Sequence, residues 1–362
     1  MEHHFVAKAR AALGLLMYQG GGANGLRPRT MVHQWKSIVR PLLEYGCEVW
    51  EGEIPDALSE KIEAVQSRFC RASLGCKYIP ASAAVRSDMG LCTLKAKRQR
   101  HKLSYWAKLC EANNDRLLSI VFRNRHREVC ADGGQLSSLN AFRSTLIAMD
   151  FQSCWSNCST LENWPRVLRE RSQALEVATQ SEIVSSSSSL ALYSGLHHDF
   201  SLGMHPYLDD RNNLRGTHLM SRLRFGSLWL MQRVASVLKL PERQGQCLLC
   251  HSGVSEDALH FVLQCPMLAL QRSYFRLALE SALSQAGAAG RFLIDEFIQA
   301  TPETALKHIA GCRRYLPPRP GLNVDELRSH LDQAAKALWL FDKVSKNYLV
   351  ACWRTRCNFG FC

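Results

Sequence analysis

Long hydrophobic runs are missing from this sequence of 362 residues. The longest apolar stretches, such as residues 12–17 and 228–231, are far shorter than the roughly 20 residues that a membrane-spanning helix needs. Residues 1–19 contain Lys8 and Arg10 and lack the apolar region and small-residue cleavage site of a secretory signal. Alternation of apolar and polar residues, the pattern of half-buried strands, is scarce. We therefore expect a mainly α-helical, intracellular protein of the nucleus, the cytoplasm or both, with no membrane partner.

Acidic residues are also few compared with basic ones. The chain has 45 Lys and Arg against 32 Asp and Glu, which gives a net charge of +13. Much of this surplus lies between Lys61 and Arg127. Because the positive charge is clustered, it favours a nucleic-acid partner over a surface that is basic only for solubility.

The 15 cysteines are an odd number in a chain without secretory features. We interpret them as thiols, metal ligands or core residues of a reducing compartment. Cys247, Cys250, His260 and Cys265 have the spacing of a CCHC zinc knuckle. Four protein ligands leave no open coordination position, so the pattern predicts a structural zinc ion rather than a catalytic one. The alternative is a chance spacing in a cysteine-rich chain.

Apolar residues recur at three- and four-residue steps along much of the chain, which predicts amphipathic helices. The clearest case is Asp56 to Leu74, which Gly75 is expected to end as a C-cap. Ser255 is expected to N-cap the helix that contains His260 and Cys265. The further predicted helices are Arg29 to Trp50, bent or restarted at Pro41, then Leu91 to Ala112, and Val324 to Val350.

Basic residues of the predicted helix 91–112 fall outside the sector that contains Leu103, Trp106 and Ala107. Such a helix packs on one side and presents cations on the other. Basic residues also cluster just after it and before the zinc-knuckle segment. The predicted nucleic-acid contacts are Lys95, Lys97, Arg98, Arg100, Lys102, Lys108, Arg123, Arg125, Arg127, Arg222 and Arg224.

Five segments, taken in order, resemble the C-terminal region of reverse transcriptases from LINE-type (non-LTR) retrotransposons, over roughly residues 5–275. They are Val39–Gly46 followed by Val49-Trp50, Ile62–Phe69 followed by Leu74-Gly75, Leu91–Trp106, Ser221–Gly226, and Cys247–Pro266. The resemblance implies a basic, thumb-like helical bundle in residues 1–130 and a helical connector with a serine-rich linker in 131–213. It further implies a helix plus CCHC zinc knuckle in 214–290. The C-terminal helical tail in 291–362 is outside the resemblance and is predicted from periodicity alone.

Reverse transcriptases bind two Mg²⁺ ions through clustered aspartates on adjacent strands. The segment Tyr207-Leu208-Asp209-Asp210 spells Tyr-x-Asp-Asp. However, it follows the thumb-like segments instead of preceding them, and no apolar strands flank it. We therefore expect a polar turn or the start of a helix here, and no RNA-directed DNA polymerase activity from this chain by itself.

The sequence thus predicts a non-catalytic, nucleic-acid-binding part of a LINE-type reverse transcriptase with a structural zinc ion. Two alternatives stay open. One is a protein-interaction scaffold derived from a retrotransposon, and the other is a subunit that polymerises only with a palm supplied by another chain. The choice between RNA and DNA also stays open, and contacts to phosphates predict little sequence preference.

Overall fold

The computed structural model of the protein describes residues 2–20, 25–76, 81–113, 116–132, 137–187, 190–194, 203–210, 212–311 and 323–360. These residues form helices joined by turns, and the only β-type pairings among them are two isolated antiparallel bridges, Met89 with Met204 and Gln246 with Ser255. The expected mainly α fold is therefore confirmed.

The α-helices are α1 (Glu2–Gly20), α2 (Pro28–Gln34), α3 (Arg40–Glu44), α4 (Cys47–Trp50), α5 (Asp56–Ser73), α6 (Ser82–Asp88), α7 (Leu94–Glu111), α8 (Leu117–Asp132), α9 (Ser137–Ala148), α10 (Gln152–Ser156), α11 (Trp164–Ser185), α12 (Ala191–Ser194), α13 (Leu214–Arg224), α14 (Met231–Leu238), α15 (Ala269–Leu283), α16 (Gly287–Gln299), α17 (Pro302–Ile309) and α18 (Val324–Asn358). Short π-helical turns cover Trp35–Val39 and His260–Gln264. Short 3₁₀ turns cover Pro206–Asp209, Glu242–Gly245, Pro266–Leu268 and Ser284–Ala286.

The helices predicted from periodicity are present. The predicted helix 29–50 consists of α2, a π-helical turn, α3 and α4. The π turn directly precedes α3, whose second residue, Pro41, has no N–H to donate. Helix α18 extends to Asn358, eight residues beyond the predicted end. Part of the serine-rich linker, residues 188–189, lies outside the described residues, whereas Ser185 belongs to α11.

Buried apolar side chains of the described residues form two clusters. The first joins α1–α6 to α13 and α15–α18, and it includes the segment around Cys247 and Cys265. The second surrounds Trp106 and includes side chains from residues 103–168. Trp106 is fully buried, as predicted, and stacks on Trp155 with ring centroids 5.6 Å apart. Residues far apart in the chain thus share the first core.

The basic helix α7 is packed on several sides, against α4, α5, α8, α9 and α11. This packing corrects the expectation that all its cations face solvent, because Arg98 and Lys102 are buried. The Arg98 Nε donates to the Glu51 carboxylate at 2.5 Å. The Lys102 Nζ donates to the Val49 carbonyl at 3.3 Å and lies 4.6 Å from the centre of the Phe142 ring. Neither cation is available to an external phosphate.

Arg224 is likewise buried and is corrected as a nucleic-acid contact. Its guanidinium donates to both oxygens of Asp88, at 2.8 and 3.1 Å, and to the carbonyls of Ala310 and Gly311, at 2.7 and 3.1 Å. Asp88 also accepts a hydrogen bond of 2.8 Å from the Tyr207 hydroxyl. This network connects α6, the 206–209 turn, α13 and the end of α17.

The C-terminus of α5 packs closely on α13. Gly75 has a φ of +66°, and the Cys76 N–H donates to the Arg71 carbonyl at 2.8 Å, which confirms the predicted glycine C-cap. A Cβ atom on Gly75 would lie 2.6 Å from Cγ of His218. Burial lowers the pKa of His218 to about 4, and the charge of nearby Arg222 acts in the same direction.

The state of the cysteines and the hydropathy of the helices complete the description of the fold. Of the cysteines in the described ranges, twelve are free thiols. Across the described ranges, no helix is both long and apolar enough to cross a lipid bilayer.

Replacing Arg224 with alanine should lower the free energy of unfolding by about 3–5 kcal/mol, because Asp88 is then left buried without its counter-charge. Urea unfolding measures the change. Arg215 is exposed on the same helix, and its replacement with alanine should change the free energy by no more than about 0.5 kcal/mol. Equal effects of the two substitutions would contradict the role assigned to the buried pair.

A second prediction concerns pH. Since the pKa of His218 is lower in the folded protein, protonation of the unfolded chain reduces stability as pH falls from about 6.5 towards about 4. We expect His218→Gln to flatten the fall of the urea midpoint between pH 7 and pH 5. Metal release affects both proteins alike, so the difference between them isolates His218. Parallel pH profiles would contradict the prediction.

Candidate metal centre

A tight loop positions the first two cysteines of the predicted zinc knuckle. The Cys247 N–H donates to the Val254 carbonyl at 2.8 Å, and the Glu256 N–H donates to the Gly245 carbonyl at 2.9 Å. His251 and Gly253 reverse the chain with φ angles of +52° and +75°. Such left-handed residues are typical of tight turns. The loop therefore brings Cys247 and Cys250 to one side.

A short helix provides the other two candidate ligands. Its N-cap is Asp257, whose carboxylate accepts from the His260 N–H at 2.7 Å. This corrects the expectation for Ser255, which instead pairs with Gln246 in the β-bridge. A π-helical turn follows, in which the Cys265 N–H donates to the His260 carbonyl at 2.7 Å. Because of this turn, both side chains face the loop.

The four candidate ligands converge. Their ligand atoms all lie within 4.8 Å of one another. The Sγ atoms of Cys247 and Cys265 are 3.9 Å apart, and Sγ of Cys250 lies 3.4 Å from Nε2 of His260. In a zinc tetrahedron, Zn–S bonds of about 2.3 Å and Zn–N bonds of about 2.0 Å imply edges of about 3.5–3.8 Å. Both the donor set and the spacing fit a metal ion such as zinc.

Local hydrogen bonds give the thiols different acidities. Burial raises the pKa of Cys247 to about 12. Burial also acts to raise the pKa of Cys250, but hydrogen bonds with Ser252, Cys247 and His260 outweigh it and lower that pKa to about 6. Cys250 is therefore the thiol that ionises first, and a metal ion would displace the protons of the others on binding.

The cluster is connected to the final helix. Below it, the Tyr348 hydroxyl donates to the Val262 carbonyl, and Phe261 packs edge-on against Trp353. At its side, the buried Glu256 carboxylate accepts two hydrogen bonds from Arg356, of 2.9 and 3.0 Å. These contacts pack the cluster against α18, and its four candidate ligands would leave no open coordination position, as expected of a structural metal.

The sequence did not indicate two residues that support the ligands. The Ser252 hydroxyl lies 3.0 Å from Sγ of Cys250, and Nη1 of Arg272 donates to the Cys265 carbonyl at 2.7 Å. Ser252 could have been found from its place directly after the Cys250 turn. Arg272 has no such signal, because its role depends on how α15 follows the knuckle.

The predicted nucleic-acid contacts fall into three groups by exposure. Exposed side chains belong to Lys95, Lys108, Arg125 and Arg127. Half-buried side chains belong to Lys97, Arg100, Arg123 and Arg222. Buried side chains belong to Arg98, Lys102 and Arg224. The structure thus leaves four of these basic side chains exposed to solvent.

Two of the half-buried arginines have structural contacts. Arg123 donates to the carbonyls of Cys110 and Ala112, at 3.1 and 3.4 Å, at the C-terminus of α7, where unpaired carbonyls favour a cation. Nε of Arg222 donates to the Gly75 carbonyl at 2.7 Å. Their guanidinium groups hold helix ends in place.

Most of the Tyr-x-Asp-Asp segment forms a 3₁₀ turn, Pro206–Asp209, in agreement with the expected turn or helix start. Tyr207 is buried. Asp209 pairs with Arg29 at 2.6 Å, and Asp210 pairs with Lys346 at 3.1 Å. Both carboxylates are therefore engaged with cations of the chain itself.

Purified protein should contain about one zinc ion per chain, and Cys250→Ser should remove most of it because three ligands bind the ion far more weakly than four. Atomic absorption and a colorimetric zinc assay measure the stoichiometry. Cys130→Ser is the matched control, since Cys130 is an exposed free thiol outside the cluster. Zinc retained by the Cys250 variant, or lost by the control, would contradict the assignment.

Comparison with known proteins gives a partial similarity. The chain is 30% identical over 91 residues to a probable RNA-directed DNA polymerase from transposon X-element of Drosophila melanogaster. The match covers 25% of this chain and 10% of that protein, so the chain corresponds to a small part of the relative's length. No family model matches, and no solved structure matches. The similarity supports an origin related to retrotransposon reverse transcriptases.

Proposed function

We propose that the chain is a non-catalytic, nucleic-acid-binding part of a LINE-type reverse transcriptase, with a structural zinc ion on Cys247, Cys250, His260 and Cys265. The observation that carries the proposal is the convergence of these four side chains within 4.8 Å in a closed site. In this proposal, residues 1–130 are the thumb-like region, 131–213 the connector, 214–290 the knuckle region and 291–362 the helical tail.

The transposon similarity supports the proposed origin, and the basic surface supports the proposed ligand. Lys95, Lys108, Arg125 and Arg127 are exposed on α7 and α8. Of these, Arg125 has an exposed partner, Glu128, at 2.9 Å. An exposed pair of this kind is worth little and opens readily to a phosphate. Phosphate contacts of this type bind RNA or DNA with little sequence preference.

The zinc ion would act on binding indirectly. Two cysteines from a loop and two ligands from a helix turn would be fixed by one ion. The knuckle would then remain a rigid unit against α18, through Glu256 and Arg356. A rigid surface loses less conformational entropy on binding than a flexible one.

Binding should weaken steeply as salt rises, because each phosphate contact releases counterions. Replacing Lys95, Lys108, Arg125 and Arg127 together with glutamine should flatten the slope of log affinity against log salt. The expected change is about 0.9 per lost contact on duplex DNA and about 0.7 on single strands. Fluorescence anisotropy with duplex DNA, single-stranded DNA and RNA measures it.

The matched control neutralises four exposed cations elsewhere, Arg276, Arg291, Lys343 and Arg354. It changes the net charge by the same amount but should keep most of the salt slope. If both variants lose affinity equally, nucleic-acid binding depends on the net charge and not on a defined surface. If the unmodified protein shows no salt-dependent binding, the proposed function is wrong.

A further inference from the structure

A groove of about 600 Å³ lies between α5, α6 and the start of α7. It is lined by Asp56, Ser59, Glu60, Glu63, Ala64, Ser67, Arg71, Ser82, Arg86 and Lys95. Of these residues, only Lys95 was predicted from the sequence to contact nucleic acid. The groove is separate from the metal centre and from the Asp88–Arg224 network.

Arg86 is the unusual residue of this groove. Its side chain is almost fully buried, with 7% exposed, and its Nε is buried without a hydrogen-bond partner. Within the described part of the chain, its guanidinium forms no ion pair. Other buried arginines, such as Arg98 and Arg356, each pair with a carboxylate. A buried guanidinium without an anion is costly, which points to a ligand that supplies one.

Glu63 is a candidate for that anion within the chain, but it forms no ion pair with Arg86. One of its oxygens accepts from the Lys95 N–H at 2.7 Å. Its other oxygen is buried without a hydrogen-bond partner. Burial raises the pKa of Glu63, although the charge of Arg86 acts to lower it. The charges of Arg86 and Glu63 therefore influence each other, although the two side chains form no hydrogen bond or ion pair.

The two ends of the groove differ in charge, and Glu63 and Lys95 lie between them. Asp56 and Glu60 lie on the first turns of α5, whereas Arg71 lies in its last turn. At 1.5 Å per residue, Arg71 is about 16 Å from Glu60 along the helix axis. Arg71 also donates to the Ser82 hydroxyl at 2.8 Å, which places this hydroxyl at the basic end.

We propose that the basic end of this groove binds one terminal phosphate group of a nucleic-acid strand, with Arg86 as its anchor and Arg71 beside it. A guanidinium matches the oxygens of a phosphate in a bidentate geometry. A terminal phosphate fits better than an internal one, because a strand that continued along the groove would meet Asp56 and Glu60. This inference rests on the proposed nucleic-acid binding and names one contact within it.

The test compares oligonucleotides of one sequence that end in a 5′-phosphate, a 3′-phosphate or only hydroxyl groups. The protein should bind one of the phosphate-ended strands about tenfold more tightly than the hydroxyl-ended strand. Arg86→Gln should abolish this preference and leave the affinity for the hydroxyl-ended strand unchanged. Arg68→Gln, on an exposed position of α5, is the matched control and should keep the preference. Equal affinity of the unmodified protein for all three strands would overturn the proposal.

The stability of the Arg86→Gln variant provides a second test of the proposal. Removing an unpaired buried charge should leave the urea midpoint of Arg86→Gln unchanged or higher. A lower midpoint would mean that the guanidinium has an internal role, and it would overturn the proposal. Arg86→Lys keeps the charge but loses the planar fork, so it should retain only a small part of the preference.

Two further measurements identify the source of the phosphate. They also distinguish failure of this proposal from failure of the proposed function. If a nucleoside monophosphate binds as tightly as the phosphate-ended strand, the ligand is a small molecule and the strand-end proposal fails. If no oligonucleotide binds, the proposed function fails. Inorganic phosphate then tests the groove alone, because it should raise the melting temperature of the unmodified protein but not that of Arg86→Gln.

Discussion

The pairing of buried charges is the constraint on which the architecture depends. Asp88 and Arg224 are fully buried, and their contacts join helices that are 136 positions apart in the chain. Two further buried ion pairs join distant segments of the chain in the same way, Glu51 with Arg98 and Glu256 with Arg356. Each pair specifies one arrangement of helices, because a displaced partner leaves a charge in an apolar interior. The two apolar cores pack around these fixed points.

Much of the helical layout could be predicted from the sequence because its cause is local. Helix α5 has one apolar stripe and a glycine at its end, and it was located to within one residue. The metal cluster is local in the same sense, since its four ligands lie within 19 consecutive residues. A loop and one helix turn are enough to assemble them.

Whether an individual cation is buried or exposed could not be predicted, because its burial depends on partners remote in the chain. Periodicity placed Arg98 and Lys102 opposite the apolar sector of α7, as for a solvated face. The structure covers that face with α4 and α9 and gives Arg98 a carboxylate 47 positions away. Arg86 was not singled out for the same reason, since nothing in a linear pattern marks a charge that lacks a partner.

The bond between Glu256 and Arg356 has a consequence for biosynthesis. Chains fold from the N-terminus as they leave the ribosome. Cys247, Cys250, His260 and Cys265 therefore emerge together, but the guanidinium that neutralises Glu256 follows 100 residues later. During that interval the nascent knuckle is complete in its ligands yet lacks the helix against which it packs. In the proposed metal site, capture of the ion would thus precede docking of the knuckle against α18.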